Sequence, residues 1–507
     1  MGIDHALSRI DKATAEALNP VPMGRRSCGS EKRALKFALL IVLFKRVALP
    51  GQNHAPRGKE VYPMFGSYPM CRSNFHTMAR LANLALATVI VLAPGSGFTQ
   101  RAYAQDYTLT LLYSFQRSPD GQWPLGIVLD PQGNFYGATQ YGGLSSCGPF
   151  RRPLLSCGTV FKLDGTGQET VLHAFTAENG DGMNPGAGVI VDGQGNLYGV
   201  TQFGGDPLCF PGGEYFGCGI VFKLDPSGEE TMLHIFEGPS QGDGAAPGAS
   251  LVQDGQGNLY GTTSYGGDGG CVPHNGEPGC GTVFKLDPAG HETVLYRFTE
   301  GSGEVPSGVI LDEQGNLYGT TVYGGDYGYG TVFKLDASGN FTVLHSFQGL
   351  TNGAVFGDGA NPGAALVRDA QGNLYGTTFN GGGDSTCFDL SPGCGTVFKV
   401  SASGEETILY DFTATGDAGY FPYSALVLDS AGNLYGFTLY VRYSDTQIAF
   451  KLDPSGHATV LYSFDGAPEP FDLVPVPGQD GSFYGALYMG GANGAGAIFE
   501  LAPSAKR

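Results

Sequence analysis

The chain has 507 residues and a formal net charge of −19, and the charge is unevenly distributed. Residues 1–104 carry nine more positive than negative charges, whereas the remaining residues carry 28 more negative than positive charges. A body this acidic is repelled by nucleic acid and by anionic membrane surfaces, so we exclude nucleic acid as a partner.

The N-terminal region contains the pattern of a secretory signal peptide. A basic start at Arg80 precedes an apolar run, Leu81–Ala93, and a small-x-small end at Ala102–Ala104. We therefore predict a signal peptide over 78–104 and a secreted, periplasmic or extracellular product, with no transmembrane span in the mature chain. The alternative is a cytoplasmic extension with an uncleaved anchor.

Signal peptides stand at the start of a chain, and this one does not. Residues 1–77 are therefore interpreted as a non-native or disordered extension that arises from a reading frame opened too far upstream. The organised part of the chain is expected to be residues 105–507.

A five-residue motif, Gly-Asn-Leu-Tyr-Gly, organises that part. Its seven copies, two of them variants, follow one another at spacings of 62, 62, 58, 57, 60 and 49 residues. A period of this size indicates a repeat architecture. The copies are Gly133–Gly137, Gly195–Gly199, Gly257–Gly261, Gly315–Gly319, Gly372–Gly376, Gly432–Gly436 and Gly481–Gly485.

Each repeat contains four short segments rich in β-branched and aromatic residues, which predicts strands. Asp-x-x-Gly turns join the first segment to the second and the third to the fourth, so each repeat is an antiparallel meander with short turns at one end and longer loops at the other. We interpret the motif tyrosine and a recurrent lysine in the third strand as packing residues. In the fourth repeat the segments are Gly308–Leu311, Asn316–Val322, Thr331–Leu335 and Phe341–Phe347.

The repeats are circularly shifted by one strand. The fourth-strand pattern occurs six times inside the repeats, and its seventh copy, Thr108–Phe115, precedes the first repeat. In a closed ring this offset lets the first strand complete the last sheet, so that no sheet edge is left open. An open stack of repeats would have no advantage from the offset. We predict an all-β fold, a seven-bladed β-propeller of four-stranded antiparallel blades, in which strand 108–115 joins the last blade, residues 471–501.

Eight cysteines fall into four close pairs, each in a loop between the second and third strands. We predict disulfides, which suit an oxidising compartment. Zinc is the alternative, but these loops have no Cys-x-x-Cys spacing and His274 is their only histidine. The pairs are Cys147–Cys157, Cys209–Cys218, Cys271–Cys280 and Cys387–Cys394.

An aromatic residue follows the second strand in five repeats, at the long-loop end. A ring of such side chains is suited to stacking on sugars, and we predict a ligand-binding face there. The alternative is that each aromatic side chain covers a neighbouring loop. The residues are Tyr141, Phe203, Tyr265, Tyr323 and Tyr440.

Other recurrent polar residues predict no chemistry. His173, His234 and His345 occupy a position that is tyrosine in other repeats, which favours packing. Asp-Gly pairs before the first strand, such as Asp181-Gly182, are turn formers, and no run of acidic residues supplies the several oxygens that calcium needs. We predict no catalytic residue, no metal ligand and no cofactor.

The recurring Tyr-Gly-Gly, Gly-Thr-Val-Phe-Lys-Leu-Asp, Thr-Val-Leu-Tyr-x-Phe and Gly-Asn-Leu-Tyr-Gly-Thr-Thr motifs resemble those of the GloVer tandem-repeat proteins, exported bacterial proteins with variable C-terminal anchors. The resemblance covers about residues 107–501. It implies export and a repeat architecture, and no activity.

Two functions are compatible with these features. The first is a monomeric secreted or cell-surface binding protein whose long-loop face holds a glycan or another protein. The second is an enzyme on the same scaffold, a polysaccharide lyase or a glycoside hydrolase. Repeated aromatic positions favour the first, because an active site needs unlike residues that converge on one point.

Overall fold

The structure is a computed structural model that describes residues 107–143, 147, 156–207, 209, 217–267, 271, 279–349, 357–384, 387, 393–440, 446–464, 470–475 and 481–504. The predicted signal peptide and the extension before it lie outside these residues. No helix in the described part of the chain has the length and apolar character that crossing a membrane requires.

The described strands form seven antiparallel sheets, the blades of a β-propeller, and this confirms the predicted fold class. We number the strands of each blade one to four in the order in which they pair. Blade 1 contains Gly121–Leu129, Phe135–Gly142, Thr159–Leu163 and Glu169–Ala174. Blade 2 contains Gly182–Pro185 with Ile190–Val191, then Leu197–Gly204, Ile220–Leu224 and Glu230–Ile235. Blade 3 contains Gly244–Pro247 with Val252–Gln253, then Leu259–Gly266, Thr282–Leu286 and Glu292–Arg297.

The remaining blades repeat this pattern. Blade 4 contains Glu304–Leu311, Leu317–Tyr323, Thr331–Leu335 and Phe341–Ser346. Blade 5 contains Val367–Arg368, Leu374–Thr378, Thr396–Val400 and Glu406–Asp411. Blade 6 contains Tyr420–Pro422 with Val427–Leu428, then Leu434–Tyr440, Gln447–Leu452 and Ala458–Phe464. Blade 7 contains Pro470–Pro475, Phe483–Leu487 and Ala497–Pro503, and Tyr107–Ser114 is its fourth strand. A short 3-10 helix spans Pro239–Gln241.

The ring closes as the circular shift predicts. Tyr107–Ser114 pairs antiparallel with Ala497–Pro503, with Leu109 opposite Leu501. The edge of the last sheet is therefore paired by a strand from the other end of the repeat region, which removes an open seam.

The hydrophobic core lies between adjacent blades. One buried cluster combines Val160 and Phe175 of blade 1 with Leu197 and Phe222 of blade 2. Both faces of a blade are thus apolar, which explains why the strands show little alternation between polar and apolar residues.

The Gly-Asn-Leu-Tyr-Gly motif builds the hairpin between strands one and two. In blade 2, the Asp192 carboxylate accepts hydrogen bonds from the Asn196 side chain at 2.7 Å and from the Tyr198 hydroxyl at 3.1 Å. Gly199 leaves room for the ring of Phe222, since a Cβ there would lie 2.5 Å from that ring. The asparagine, the tyrosine and the second glycine of the motif thus each have a contact that accounts for them, and the first glycine, Gly195, has a φ of +85°.

The recurrent lysine of strand three lies over the motif tyrosine. The Lys223 ammonium is 5.9 Å from the centre of the Tyr198 ring, and five other blades repeat the contact at 5.6–5.8 Å. Such a cation–π contact contributes about 0.5–1 kcal/mol at exposed sites.

Adjacent blades are joined by a glycine that precedes strand three and a proline that lies in or before strand one of the next blade. A Cβ on Gly158 would lie 2.5 Å from Cδ of Pro185, and Gly158 has a φ of +97°. Only glycine permits both the left-handed backbone and the close approach. The equivalent pairs, at 2.3–2.8 Å, are Gly219–Pro247, Gly281–Pro306, Gly330–Pro362, Gly395–Pro422 and Gly496–Pro124.

The residue before each of these prolines has a left-handed backbone, which the sequence did not predict, because residues before proline favour extended conformations. The N–H of Asn184 donates to the carbonyl of Cys157 in the preceding blade at 2.7 Å, and its φ is +55°. This bond offsets the backbone strain and connects the two blades. The same geometry recurs at Trp123, Ala246, Val305, Asn361 and Phe421.

All four predicted disulfides are present. The Cα–Cα distances are 5.3–5.8 Å, within the usual range for a disulfide. The second cysteine of each pair is also the residue whose carbonyl accepts the hydrogen bond from the next blade. The disulfides therefore fix the loop end that contacts the neighbouring blade.

Candidate functional site

The long-loop end is where strand one begins, strand two ends and strand three begins. The predicted ligand-binding aromatics lie there at one register position of strand two, each in a different blade. Each is paired with the first or second residue of strand one in its own blade. The pairs are Tyr141–Gln122, Phe203–Met183, Tyr265–Ala245, Tyr323–Glu304 and Tyr440–Tyr420. The side chain of Tyr440 lies outside the described part.

These aromatics are partly covered by the protein. Tyr141, Phe203, Tyr265 and Tyr323 are all half-buried. Burial raises the pKa of both Tyr141 and Tyr323, and the charge of Glu304 adds to the effect at Tyr323. Tyr265 packs against the buried cluster between blades 2 and 3, and each of the four rings presents part of its surface.

At one position the aromatic side chains gather into a group, here called the aromatic platform: Trp123, Tyr141 and Tyr488. The Trp123 ring is 4.9 Å from the ring of Tyr141 and 5.1 Å from that of Tyr488. The Tyr488 hydroxyl donates to the Gln140 side chain, which links blade 7 to blade 1. All three rings are half-buried.

The left-handed backbone at Trp123 sets the position of its side chain. Its φ is +63°, and its N–H donates to the Ala495 carbonyl of blade 7 at 2.8 Å. Other blades have Asn, Ala, Val or Phe at this position. Trp123 is the only tryptophan of the chain, so the platform is a feature of one junction on a repeating scaffold.

A second polar feature recurs at the junctions between blades, here called the junction clusters. Each combines a residue of strand four in one blade with the aspartate before strand one and the first residue of strand four in the next blade. Three clusters have the same composition: His173–Asp181–Glu230, His234–Asp243–Glu292 and His345–Asp358–Glu406, with ligand atoms within 4.8 Å of one another.

Backbone N–H groups hold the aspartates in place. Asp181 accepts from Thr176 N at 2.7 Å and from its own neighbour, Gly182 N, at 2.6 Å. Asp243 accepts from Glu237 N at 2.8 Å. The Asp-Gly pair follows the turn and leads into strand one, where the sequence predicted that the pair forms the turn itself, and the carboxylate faces the cluster.

The electrostatics of the clusters differ from those of surface carboxylates. Burial raises the pKa of Glu230 to about 7, with His173 opposing the shift and Asp181 adding to it. The pKa of His173 is raised, because the neighbouring carboxylates outweigh the effect of its burial. Burial likewise raises the pKa values of Glu292 and Glu406 to about 7.

Tyrosine replaces the histidine at other junctions, where the two partners are changed or retained. At the junction of blades 3 and 4, Tyr296 stands in place of the histidine. Ser302 occupies the aspartate position there and Phe341 the glutamate position, and the Phe341 ring stacks on that of Tyr296 at 3.7 Å. At the junction of blades 7 and 1, Tyr113 donates to Asp120 at 2.8 Å beside Glu169. The sequence prediction treated the histidine and aspartate positions separately and missed the glutamate. The recurrence of glutamate as the first residue of strand four, at Glu169, Glu230, Glu292 and Glu406, was the available signal.

No curated protein matches the chain in sequence. Among solved structures, a putative gluconolactonase is 14% identical over 65% of this chain and 88% of its own, with a TM-score of 0.33. A luciferin-regenerating enzyme is 13% identical over 65% and 94%, with a TM-score of 0.37. The aldose sugar dehydrogenase of Streptomyces coelicolor is 12% identical over 78% and 98%, with a TM-score of 0.38. These similarities are too weak to support an argument about function.

The sequence profile of one repeat family matches nearly all of the propeller. It aligns with residues 93–272, 154–390 and 270–499, three overlapping matches that together cover all seven blades. These matches agree with the motifs that resemble the GloVer repeats. The chain belongs to the Gloeobacter/Verrucomicrobia repeat family.

Proposed function

We propose that the protein is a secreted or cell-surface β-propeller that binds a glycan at the long-loop end, with the aromatic platform as the centre of the site. The observation that carries this proposal is the contact of Trp123 with Tyr141 and Tyr488. Flat, half-buried rings offer apolar faces to the C–H surface of a sugar, and nearby polar groups orient its hydroxyls. The Gln140 amide next to Tyr488 is such a group.

The other aromatic positions extend the site around the ring. Phe203, Tyr265 and Tyr323 occupy the register position of Tyr141 in blades 2, 3 and 4. A polymer with repeating sugars can contact several of these positions at once, and linked contacts raise the overall affinity without any new interaction. A polysaccharide is therefore the ligand class that this arrangement suits best.

Export is the second part of the proposal. Four disulfides within the described residues favour an oxidising compartment, and the signal peptide predicted at 78–104 supplies the route. Mass spectrometry of the protein from its native host tests this. We expect a mature N-terminus at Gln105, and peptides from residues 1–77 would contradict both the cleavage and the extension hypothesis.

A glycan array with the purified protein tests binding. We expect saturable binding to at least one polysaccharide, and a loss of about tenfold or more in affinity in Trp123→Ala, as for a central interface aromatic. Met232→Ala, at an exposed residue of blade 2, is the control and should bind as the wild type does.

Three outcomes would change the assignment. Equal binding by Trp123→Ala and wild type would remove the platform from the site. Capture of a protein but of no glycan would favour the protein-binding version. Cleavage of a polysaccharide by the wild type would favour the alternative function, a lyase or glycoside hydrolase.

A further inference from the structure

The first junction cluster contains polar atoms that its hydrogen bonds do not satisfy. Nε2 of His173 and Oε1 of Glu230 are buried and have no hydrogen-bond partner among the described residues. Nε2 of His173 lies 3.6 Å from Oδ1 of Asp181 and 3.7 Å from Oε2 of Glu230. These distances are too long for hydrogen bonds. Unsatisfied buried polar atoms of this kind are rare and need an explanation.

The spacing suits three ligands of one metal ion. A zinc ion with its ligands at about 2.0–2.2 Å in tetrahedral geometry holds them roughly 3.3–3.6 Å apart. The distances from His173 to the two carboxylates, 3.6 and 3.7 Å, lie at the upper end of this range or just above it. Small side-chain movements would therefore bring all three groups to coordination distance.

The charge of the cluster also favours a bound metal ion. When the His173 imidazole is neutral, as a metal ligand must be, the Asp181 carboxylate and a deprotonated Glu230 put two negative charges next to each other in a largely buried place, which is unfavourable without a compensating cation. The side chains of His173 and Glu230 are only 19% and 14% exposed, so water compensates little. A divalent ion neutralises both carboxylates and satisfies the unpartnered atoms.

We propose that His173, Asp181 and Glu230 form a binding site for a divalent transition-metal ion between blades 1 and 2. The clusters of His234 and His345 repeat this site between blades 2 and 3 and between blades 4 and 5. One imidazole nitrogen and two carboxylates form a ligand set of the kind that zinc uses, whereas calcium takes oxygen ligands alone. The ion would tie one blade to the next.

The two repeated clusters show the same unsatisfied glutamate, as does Glu169 at the junction of Tyr113, so the histidine is what distinguishes the proposed sites. Oε1 of Glu292 and Oε1 of Glu406 are buried without a hydrogen-bond partner among the described residues. Their histidines lie closer to the aspartates, since Nε2 of His234 is 3.2 Å from Asp243 and Nε2 of His345 is 2.9 Å from Asp358. A metal must displace these hydrogen bonds, so we expect the site of His173 to bind most tightly.

The second cluster also shows an entry path and an opposing charge. It opens into a cavity of about 500 Å³ lined by His234, Asp243 and Glu292 together with Arg297. The Arg297 guanidinium, which donates to the Gly242 carbonyl, adds a positive charge beside the cluster. Repulsion from this charge should make the second site the weakest of the three.

Replacements for a test are available in the chain itself. Tyrosine occupies the histidine position at the junctions of Tyr113 and Tyr410, and alanine occupies the glutamate position at Ala458. His173→Tyr and Glu230→Ala therefore introduce side chains that the same fold accepts elsewhere. Circular dichroism and the unfolding midpoint would confirm that both variants fold.

The experiment is a titration of chelator-treated full-length protein with ZnCl₂ alone, followed by calorimetry and by elemental analysis of the bound metal. We expect up to three equivalents of zinc, one for each histidine cluster, with release of protons that grows at lower pH, because the metal displaces protons from the ligands. His173→Tyr and Glu230→Ala should each lose the tightest equivalent.

His291→Ala is the matched control. His291 forms an exposed pair with Asp287 at 3.0 Å, so it is a surface histidine next to a carboxylate without a buried third ligand. We expect its replacement to leave the tightest equivalent unchanged. The proposal is overturned if wild type binds no zinc, if His173→Tyr and Glu230→Ala bind as much as wild type, or if His291→Ala abolishes the binding.

Discussion

Gly496 and Pro124 connect the last blade to the first, and a Cβ on Gly496 would lie 2.3 Å from Cδ of Pro124. The contact is the same as that between consecutive blades elsewhere in the ring, as in Gly158 and Pro185. The closure of the ring thus uses the ordinary joint between neighbouring blades together with the paired strand.

Gly496→Ala should destabilise the protein markedly. The φ of Gly496 is +102°, where a Cβ costs about 1–2 kcal/mol, and the clash with Pro124 adds to this. We expect a loss of more than about 2 kcal/mol in the free energy of unfolding, measured by urea denaturation. Gly193→Ala is the control, since a Cβ there meets nothing within 4 Å. Equal midpoints for the two variants would show that the joint tolerates a side chain.

Loss of the turn aspartate should cost more than loss of one of its partners. In blade 3, Asp254 accepts from the Asn258 side chain at 2.7 Å and from the Tyr260 hydroxyl at 3.0 Å, as well as from two backbone N–H groups. We expect Asp254→Ala to lower the free energy of unfolding by roughly 2 kcal/mol and Tyr260→Phe by roughly 1 kcal/mol. Urea denaturation of both variants checks the order, and Gln256→Ala should be neutral.

The stability of the metal-free protein should fall as the pH rises through neutrality. Burial raises the pKa of Glu169 to about 7 from an ordinary value of 4.5, and nearby Asp120 adds to the shift. The folded state then binds more protons than the unfolded state between these values, so its advantage is complete below about pH 4.5 and lost as the pH passes 7. Glu230, Glu292 and Glu406 act in the same direction.

Glu169→Gln isolates this effect at a junction that has no histidine. The amide resembles the protonated acid, so we expect a higher urea midpoint than wild type at pH 8 and little difference at pH 4.5. Glu229→Gln, at an exposed residue, is the control. A midpoint at pH 8 equal to that of wild type would contradict a raised pKa at Glu169.

Removal of one disulfide should lower the free energy of unfolding by an amount that depends on the length of the loop that the disulfide closes. Cys147 and Cys157 are ten residues apart, for which chain entropy gives about 2–3 kcal/mol. We expect Cys147→Ser combined with Cys157→Ser to lose about this much in urea denaturation, without loss of the ring. A reduced wild type that is as stable as the oxidised protein would show that the loop needs no crosslink.

The fold could be predicted from the sequence because every repeat carries the same pattern of strands and turns. Seven copies of one motif and one displaced strand determine the blade number and the seam, and the paired cysteines determine the crosslinks. The left-handed residue before proline could not be predicted, because residues before proline are normally extended. Its cause is a hydrogen bond to another blade, as between Asn184 and Cys157, and no local pattern reports such a contact.

The junction clusters were missed for a related reason. His173 and Asp181 are close in sequence, but Glu230 lies in the next repeat and meets them only when the blades pack. The aromatic positions were found because they recur, whereas the aromatic platform was not. Trp123 lies in the first blade and Tyr488 in the last, so their contact depends on closure of the ring.

The pairing of Leu109 with Leu501 also has a consequence for the order of folding. Nearly 400 residues separate the partners, so this sheet has a far higher contact order than any hairpin within a blade, and the entropy of closing so large a loop opposes its formation. During synthesis or export the earliest strand must wait for the latest one to emerge. Completion of the last blade should therefore be the final and slowest step, and until then both edges are open to chaperones, proteases or another copy of the chain.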